Sequence, residues 1–373
     1  MVNNIMKQFT INETIGESML PVEVVFHPSW WNKHAGITFD EDFFFHPAKR
    51  VESEKRMENV LYERFGKYGL GENHNMELPV VGGVHIAAGF LLSGILGCEL
   101  RFSENAPPEV ICANNEDLSL PEIEDICNSA YFRKFGVLCR SLKNRFGYLT
   151  GDVGWGGVLN TALDLRGQMI FMDMFDKPEE VKQYFFKIAA ITEHVVKGIE
   201  RQTGSSSIAV NRTVRHLKSP VFLHSECSVT MISEEQYEEF IMPVDVAWSN
   251  SSRPYGIHFC GHDPHRFASS FAKIPHLDFL DAGRGGDIKI LRNALPETFL
   301  NLRLSPVEIV KQSPDEIRSI IERLVTESGN PYLTGVCCIN MDDKVDDTKI
   351  EAVFETVNYL RDKYKLSATS IAV

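Results

Sequence analysis

Four side chains able to bind a metal ion lie within eight residues of one another in the segment YGIHFCGHDPH, residues 255 to 265. They are His258, Cys260, His262 and His265. Imidazole nitrogen and thiolate sulfur are the usual protein ligands of zinc, so their spacing raises the possibility of a metal site. Four ligands so close in sequence cannot all reach one ion without bending the backbone. The secondary structure of the segment therefore decides which of them bind.

The alternation of side chains in a β-strand separates these four residues into two groups. Residues i and i+2 of a strand point to the same face, so a strand over YGIHFC projects His258 and Cys260 together. Gly261 ends this strand, and the Asp-Pro pair that follows is typical of a helix start. We therefore expect His258 and Cys260 to form half of a site, and the two later histidines to lie away from the ion.

A third ligand has to come from another part of the chain, because a catalytic zinc commonly has three protein ligands and one open position. Other strand ends that carry cysteine or an acidic residue are the expected sources: Glu226 in HSEC, and Cys337 or Cys338 in TGVCCIN. A buried cysteine is more often a small hydrophobic residue, and a histidine at a strand end is more often hydrogen-bonded than bound to metal. The two-residue His-x-Cys pattern leaves these alternatives open.

An α/β fold would bring such strand ends together. From about residue 76, short apolar runs alternate with amphipathic stretches of helical length, which is typical of βα units. The predicted strands are ELPVVGG, FGYLTGDV, PVFLHSE, YGIHFCG, HLDFLDA, TFLNLRL and PYLTGVC. The predicted helices begin after Asp176 and at SEEQYEEFIMPVDVAW, SPDEIRSIIERLVTES and DDTKIEAVFETVNYLRDKY. These units suggest a parallel sheet, open or closed, and polar residues at several strand ends favour a closed barrel over residues 76–373.

The first 75 residues differ in character, since their aromatic and His-Pro motifs follow neither helical nor strand periodicity. We expect residues 1–75 to form an N-terminal cap or lid on the barrel. Trp30 and Trp31 are candidates to line a substrate pocket, with packing against barrel helices as the alternative.

Three further residues lie at predicted strand ends, where α/β folds build their active sites. Asp152, Asp281 and Arg284 are therefore candidates for substrate binding.

Composition excludes several classes of partner. Acidic residues outnumber basic ones by 51 to 38, and no Lys/Arg run is long enough to bind a nucleic-acid backbone. Residues 80–98 approach the length of a membrane span, but their five glycines and His85 favour a buried strand followed by a helix. The N-terminus has no signal-peptide pattern, so we expect a cytoplasmic protein that binds neither nucleic acid nor membranes. In that reducing compartment, the eight cysteines are expected to be buried thiols or metal ligands rather than disulfides.

Several segments of the chain resemble the uroporphyrinogen decarboxylase superfamily, whose members are (β/α)8 barrels. The resemblance covers about four-fifths of the chain, from roughly Leu78 to the last helix. It rests on LPVVGG with the later LGCELRF, GWGGVLNTALDLRGQMIFMDMFDKPEEV, MISEEQYEEFIMP, IHFCG and LVTESGNPYLTGVCCI. The decarboxylase branch begins with an arginine-rich segment of the form P-V-W-x-M-R-Q-A-G-R, and here PVEVVFHPSWWNKHAG lacks those arginines.

The chain is more similar to the cobalamin-dependent methyltransferase branch, which binds zinc through His-x-Cys at one strand end and a cysteine at a later one. The resemblance implies His258, Cys260 and Cys337 as zinc ligands. Cys337 is preferred to Cys338 because VCCI aligns it with the cysteine of the family's G-C-G-I. Glu226 is expected to be a fourth ligand or a general base, with a hydrogen-bonded carboxylate at the barrel mouth as the alternative.

These likenesses imply a zinc-dependent methyltransferase of one-carbon metabolism with one zinc per chain. Its methyl group would move between methylcobalamin, carried by a separate corrinoid protein, and a small methylated substrate or thiol acceptor. Two alternatives remain at this stage. One is a metal-independent decarboxylase of a tetrapyrrole, and the other is a non-enzymatic barrel with a closed structural zinc.

Overall fold

A curled parallel β-sheet forms the centre of the molecule in a computed structural model that describes residues 19–82, 89–151, 153–204, 221–252 and 254–371. Its seven strands lie in the order β1-β9-β8-β7-β6-β5-β4, and all neighbouring pairs are parallel. A short antiparallel ribbon, β2 with β3, lies outside this sheet. The strands are β1 (Val22–Phe26), β2 (Glu99–Arg101), β3 (Glu109–Ile111), β4 (Trp155–Gly156), β5 (Phe222–Ser225), β6 (Tyr255–Phe259), β7 (Phe279–Ala282), β8 (Phe299–Leu304) and β9 (Thr334–Met341).

Helices connect the strands and pack against the sheet. They are α1 (Pro28–Ala35), α2 (Glu41–Phe45), α3 (Pro47–Phe65), α4 (Phe90–Ile95), α5 (Ile123–Ile126), α6 (Ala130–Phe146), α7 (Val158–Arg166), α8 (Met169–Asp176), α9 (Pro178–Thr203), α10 (Glu234–Gln236), α11 (Met242–Ser251), α12 (Ala268–Phe271), α13 (Ile288–Ala294), α14 (Pro306–Ile309), α15 (Pro314–Ser328) and α16 (Asp347–Ile371). A π-helical segment, Tyr237–Ile241, joins α10 to α11. Short 3₁₀ turns cover Gly66–Tyr68, Cys227–Met231, Pro264–Phe267 and Pro331–Leu333. No helix within these described ranges is long and apolar enough to cross a membrane.

Much of the predicted order of elements is confirmed. Five of the seven predicted strands form β5 to β9, and the predicted helices correspond to α9, α10 with α11, α15 and α16. Helix α9 has Pro178 in its first turn with Glu179 and Glu180 beside it, where negative charge favours the positive helix end. Hydrophobic periodicity predicts these elements well because each buries one continuous apolar face.

The expected closed barrel is not observed, because no strand ladder joins β4 to β1 in the part of the chain that the structure describes. The segments ELPVVGG and FGYLTGDV contribute a single parallel bridge between Val80 and Thr150. Gly82 and Gly151 follow the bridged residues with φ angles of 78° and 106°, which lie outside the β region. These glycines end both segments after one pairing, so the sheet is an open, barrel-like curl.

The N-terminal region contributes one strand directly to this sheet. Strand β1 pairs with β9 in parallel, with Val22 opposite Val336. The helices α1 to α3 follow it. A role for this region as a lid stays a prediction, but residues 22–26 form part of the central sheet.

The two faces of the sheet have different surroundings. Successive strand residues alternate between faces, and residues in register on parallel strands share one. One face packs against helices and carries most of the apolar core, as with Tyr255 and Ile257 of β6. The other, inner face carries His258 of β6 and a small apolar cluster of Val25, Cys337 and Ile339. The candidate ligands therefore lie on the enclosed side of the curl.

Candidate metal centre

Strand β6 delivers His258 and Cys260 to the end of the sheet, as the sequence predicts. All five residues of β6 are buried, and Cys260 follows its last residue directly. Gly261 then turns the chain, and a Cβ atom there would lie 2.0 Å from Cγ2 of Thr230. The next element is the 3₁₀ turn Pro264–Phe267, preceded by Asp263 in the left-handed conformation. The strand break expected after Cys260 is confirmed.

The imidazole of His258 is held by Asp281, which lies opposite it in the register of β6 with β7. Nδ1 of His258 and Oδ2 of Asp281 form a short hydrogen bond, and both side chains are buried. Burial lowers the pKa of His258, while the neighbouring Asp281 carboxylate opposes this shift. A carboxylate on one ring nitrogen fixes the ring and directs the other nitrogen, Nε2, toward a metal. Asp281 thus positions the candidate ligand His258.

Cys227 completes a group of three candidate ligands and was missed by the sequence analysis. It begins the 3₁₀ turn that follows β5. The ligand atoms of Cys227, His258 and Cys260 all lie within 4.8 Å of one another. The sulfur atoms of Cys227 and Cys260 are joined as a disulfide, with 5.3 Å between the Cα atoms. This pairing contradicts the expectation that the cysteines form no disulfides, because two strand ends bring two thiols into contact.

The cysteines of β9 lie apart from this group of three. Sγ of Cys337 is 3.6 Å from Oδ1 of Asp281, the carboxylate that also holds His258. Burial raises the pKa of Cys337 well above its usual value. Sγ of Cys338 faces the carbonyl oxygen of Leu304, 3.8 Å away. The structure therefore brings Cys337 next to the partner of a candidate ligand, and its assignment as a zinc ligand stays a prediction.

The two later histidines occupy the loop beyond the strand. Nδ1 of His265 accepts a hydrogen bond from the backbone N–H of Asp287, at 3.2 Å. His262 lies near Gly285, where a Cβ atom would be 3.3 Å from Nδ1 of the His262 ring. Neither histidine is a member of the group formed by Cys227 and its neighbours.

Glu226 belongs to a second buried group, with His224 and Asp245. Its Oε1 lies 3.3 Å from Nδ1 of His224 and accepts a hydrogen bond from the backbone N–H of Val158. Burial raises the pKa of Glu226 to about 8 and lowers that of His224 to about 4. The structure therefore places Glu226 with a different set of side chains from Cys260. Its assignment as a zinc ligand or general base stays a prediction.

Two tyrosines anchor the other end of this second group. Oδ2 of Asp245 accepts a hydrogen bond from the hydroxyl of Tyr237 at 2.5 Å, and Oδ1 accepts one from Tyr255 at 2.9 Å. The hydroxyl of Tyr255 also lies 2.6 Å from Nε2 of His224. Burial raises the pKa of Asp245 to about 7. These groups link β5, β6 and α11 into one polar network.

The remaining predicted residues have varied surroundings. Nη1 of Arg284 donates a hydrogen bond to Oγ of Ser305 at 2.8 Å, just beyond β7 and β8. Trp30 and Trp31 are 0% and 1% exposed, and Phe26 stacks on Trp30 with 3.8 Å between ring centroids. Such fully buried rings favour the packing alternative over contact with a substrate. Asp152 lies outside the described residues.

Further polar residues of the inner face were not predicted. Ser225 of β5 and Asn301 of β8 are buried, and Arg303 of β8 is partly exposed. A signal was present in the sequence, since TFLNLRL alternates polar Asn301 and Arg303 with leucines in a strand whose other residues are apolar.

The fold is similar to that of one solved structure with a TM-score above 0.5. No family model and no curated protein matches the sequence. A methyltransferase from Methanosarcina mazei has a similar structure, with a TM-score of 0.66 and 13% identity over 95% of this chain and 99% of that one. A B12-independent methionine synthase from a Shewanella species in complex with selenomethionine gives a TM-score of 0.49 at 8% identity, over 95% of this chain and 100% of that one. A putative vitamin-B12 independent methionine synthase from Listeria monocytogenes gives 0.46 at 11% identity, over 92% and 99%.

Proposed function

We propose that this protein is a zinc-dependent methyltransferase that moves a methyl group between a corrinoid and a small thiol or methylated substrate. The observation that carries the proposal is the group of Cys227, His258 and Cys260, whose ligand atoms lie within 4.8 Å of one another. Two sulfurs and one imidazole nitrogen form a donor set that suits zinc and leaves one position for a substrate. The similarity of the fold to that of a methyltransferase supports the same reaction class.

The residues around the group fit this donor set. The hydrogen bond from His258 to Asp281 occupies Nδ1, so Nε2 is the ring nitrogen available to a metal. In the structure Cys227 and Cys260 form a disulfide, which is the oxidised state of the pair. They must be reduced before they can bind a metal as thiolates. We propose one zinc per reduced chain, bound by these three side chains.

The chemistry follows from what these side chains hold in place. Zinc bound by two thiolates would keep a coordinated substrate sulfur deprotonated and nucleophilic at neutral pH. Asp281 keeps the His258 ring in one orientation, and Gly261 lets the chain turn sharply just after Cys260. The strand ends of β5 and β6 thus position both thiolates on the enclosed side of the sheet. A corrinoid carried by a partner protein would present its methyl group at this end of the sheet.

Methyl transfer from methylcobalamin tests the proposal directly. Reduced, zinc-loaded protein is mixed with methylcobalamin and a panel of thiols, and loss of the methyl–cobalt bond is followed by absorbance. We expect thiol-dependent demethylation that Cys260→Ala abolishes and Cys127→Ala preserves, since Cys127 is a free, exposed cysteine. If no thiol is methylated, and cob(I)alamin accepts no methyl group from any methylated donor, the proposed reaction is wrong.

The oxidised pair defines a second candidate, a thiol–disulfide function for Cys227 and Cys260. Here the two cysteines would exchange with other thiols and would bind no metal. Zinc analysis of the reduced protein separates the two, since only the methyltransferase requires a bound ion. Loss of zinc on oxidation and its return on reduction would favour the metal site.

A further inference from the structure

A row of polar residues crosses the inner face of the sheet. The strand registers place Ser225 of β5 opposite His258 of β6, His258 opposite Asp281 of β7, Asp281 opposite Asn301 of β8, and Asn301 opposite Gly335 of β9. Because residues in register on parallel strands share a face, these side chains point to the same side of the sheet. The proposed metal ligand His258 therefore lies in one continuous polar row with Asn301.

Several polar atoms on this face have no hydrogen-bond partner among the residues that the structure describes. They are Oγ of Ser225, both amide atoms of Asn301, and Nε and Nη1 of Arg303. Leaving a buried polar atom unpaired is unfavourable, so one such atom is unusual and a cluster on one face calls for an explanation. Asn301 is completely buried and lies over Gly335, where a Cβ atom would approach its Oδ1 to 2.7 Å. The absence of a side chain at Gly335 leaves room for the amide.

Arg303 brings a positive charge to the same face. It lies two residues after Asn301, opposite Cys337 in the register of β8 with β9. Among the side chains that the structure describes, no carboxylate forms an ion pair with its guanidinium. An arginine remains charged at any physiological pH, and guanidinium nitrogens that are buried, as Nε and Nη1 of Arg303 are, are seldom left without an acceptor.

We infer that Arg303, together with the amide of Asn301, binds a carboxylate group of the substrate. A guanidinium binds a planar carboxylate through two parallel hydrogen bonds, and the Asn301 Nδ2 atom provides a further donor. Strands β6 and β8 are two strand spacings apart, about 10 Å between backbones, and inward side chains shorten that gap. A short-chain mercaptocarboxylate would span from His258 and Cys260 to Arg303. The reaction of this substrate rests on the proposed function, whereas its carboxylate recognition does not.

Calorimetric binding to the reduced, zinc-loaded full chain tests this inference. The probes are mercaptopropionate and mercaptopropanol, which share a thiol and a similar length but differ in charge. We expect the carboxylate probe to bind at least about tenfold more tightly to the native protein, in line with a charge-assisted hydrogen-bonded pair. Arg303→Met should abolish the preference, and Arg303→Lys should retain part of it. The control Arg318→Met removes an exposed arginine of α15 and should leave the preference unchanged.

Equal affinity of the two probes for the native protein, or an undiminished preference in Arg303→Met, would overturn the inference. If circular dichroism shows that Arg303→Met does not fold, the Arg303→Lys variant tests the inference. Full retention of the preference for the carboxylate probe in this variant counts against bidentate recognition. A partial loss of that preference supports it. Zinc content and binding of propionate to the metal-free protein are measured alongside. Arg303-dependent binding of propionate without any zinc uptake would contradict the proposed function and support the carboxylate site. Zinc uptake and methyl transfer without a carboxylate preference would support the proposed function and contradict the carboxylate site.

Discussion

The hydrogen bond between His258 and Asp281 is the residue-level feature on which the candidate site depends most. It fixes the imidazole in one orientation inside the sheet and leaves Nε2 as the ring nitrogen without this partner. Without it, His258 would have to find another partner for Nδ1 in a buried environment. The structure gives Asp281 a partner among the proposed ligands, and its predicted role in substrate binding stays a prediction.

Replacing this carboxylate should weaken metal binding. We expect Asp281→Asn to lower zinc affinity about 10- to 100-fold, the usual effect of losing a partner that orients a metal-bound histidine. Competition with a chromophoric chelator measures the affinity. Asp315→Asn, at an exposed position of α15, is the control and should bind zinc as the native protein does. Unchanged affinity in Asp281→Asn would mean that His258 does not bind the ion through Nε2.

The strand period predicts His258 and Cys260 from sequence, but it cannot find Cys227. Ser225 of β5 lies opposite His258 of β6. Cys227 comes two residues after Ser225, and Cys260 comes two residues after His258. This equal offset brings the two sulfurs together. Register between neighbouring strands depends on packing of the whole sheet, which a single sequence does not display. The resemblance implies Cys337 as a ligand, and that assignment stays a prediction beside the group of Cys227, His258 and Cys260.

At the scale of elements, the polar network of Asp245 connects α11 to β5 and β6 on the helix-facing side of the sheet. Burial is the main cause that raises the pKa of Asp245, because a charged carboxylate is poorly solvated there. The folded protein therefore keeps this carboxyl protonated at a pH where the unfolded chain releases the proton.

This difference predicts how stability depends on pH. The Asp245 carboxyl titrates near 3.8 when unfolded and at about 7 when folded, so its contribution is fully present below pH 4 and is lost as the pH rises through 7. The slope within this window reaches about 1.4 kcal/mol per pH unit. Urea unfolding of the native protein and Asp245→Asn between pH 5 and 7 measures the effect. The variant should show a shallower fall in the free energy of unfolding, and parallel profiles would contradict the account.

The ends of β6 and β7 approach each other closely beside Cys260. A Cβ atom on Gly283 would lie 2.0 Å from the carbonyl oxygen of Gly261, a backbone atom that cannot rotate away. We expect Gly283→Ala to reduce the free energy of unfolding by about 1–3 kcal/mol, as overpacking does, and to weaken zinc binding. Gly136→Ala in α6 is the control, since its nearest neighbour is the flexible end of Arg140. Equal free energies of unfolding for the two variants in urea would show that the ends of β6 and β7 have room for a Cβ atom at residue 283.

The elements that sequence predicts best are those with one regular apolar face. Helix α9 and strands β5 to β9 have such faces, and their positions are close to the predicted ones. The sequence does not predict strand β1, because its five residues are followed by aromatic residues that obscure the alternation of apolar and polar side chains. The strand predicted at ELPVVGG is longer than the single bridge that forms there, because a positive φ at Gly82 cannot be inferred from the apolar residues before it.

At the scale of the whole molecule, the curl of the sheet is what joins distant parts of the chain. Cys227, His258 and Asn301 belong to three different strands or their ends, yet all lie at the same enclosed face. Sequence predicts the α/β class and the parallel sheet, whereas the open edge between β4 and β1 depends on glycine conformations. A metal bound across two strand ends would therefore bind only the folded chain and should stabilise it.

X-ray absorption of the reduced, zinc-loaded protein tests the central claim most directly, because it counts the sulfur atoms around the ion. We predict one zinc per chain, bound by two sulfurs and one imidazole nitrogen. Cys227→Ser should remove one sulfur, and Cys337→Ser should leave both. No zinc uptake by the reduced protein, or loss of a sulfur in Cys337→Ser with none lost in Cys227→Ser, would contradict it.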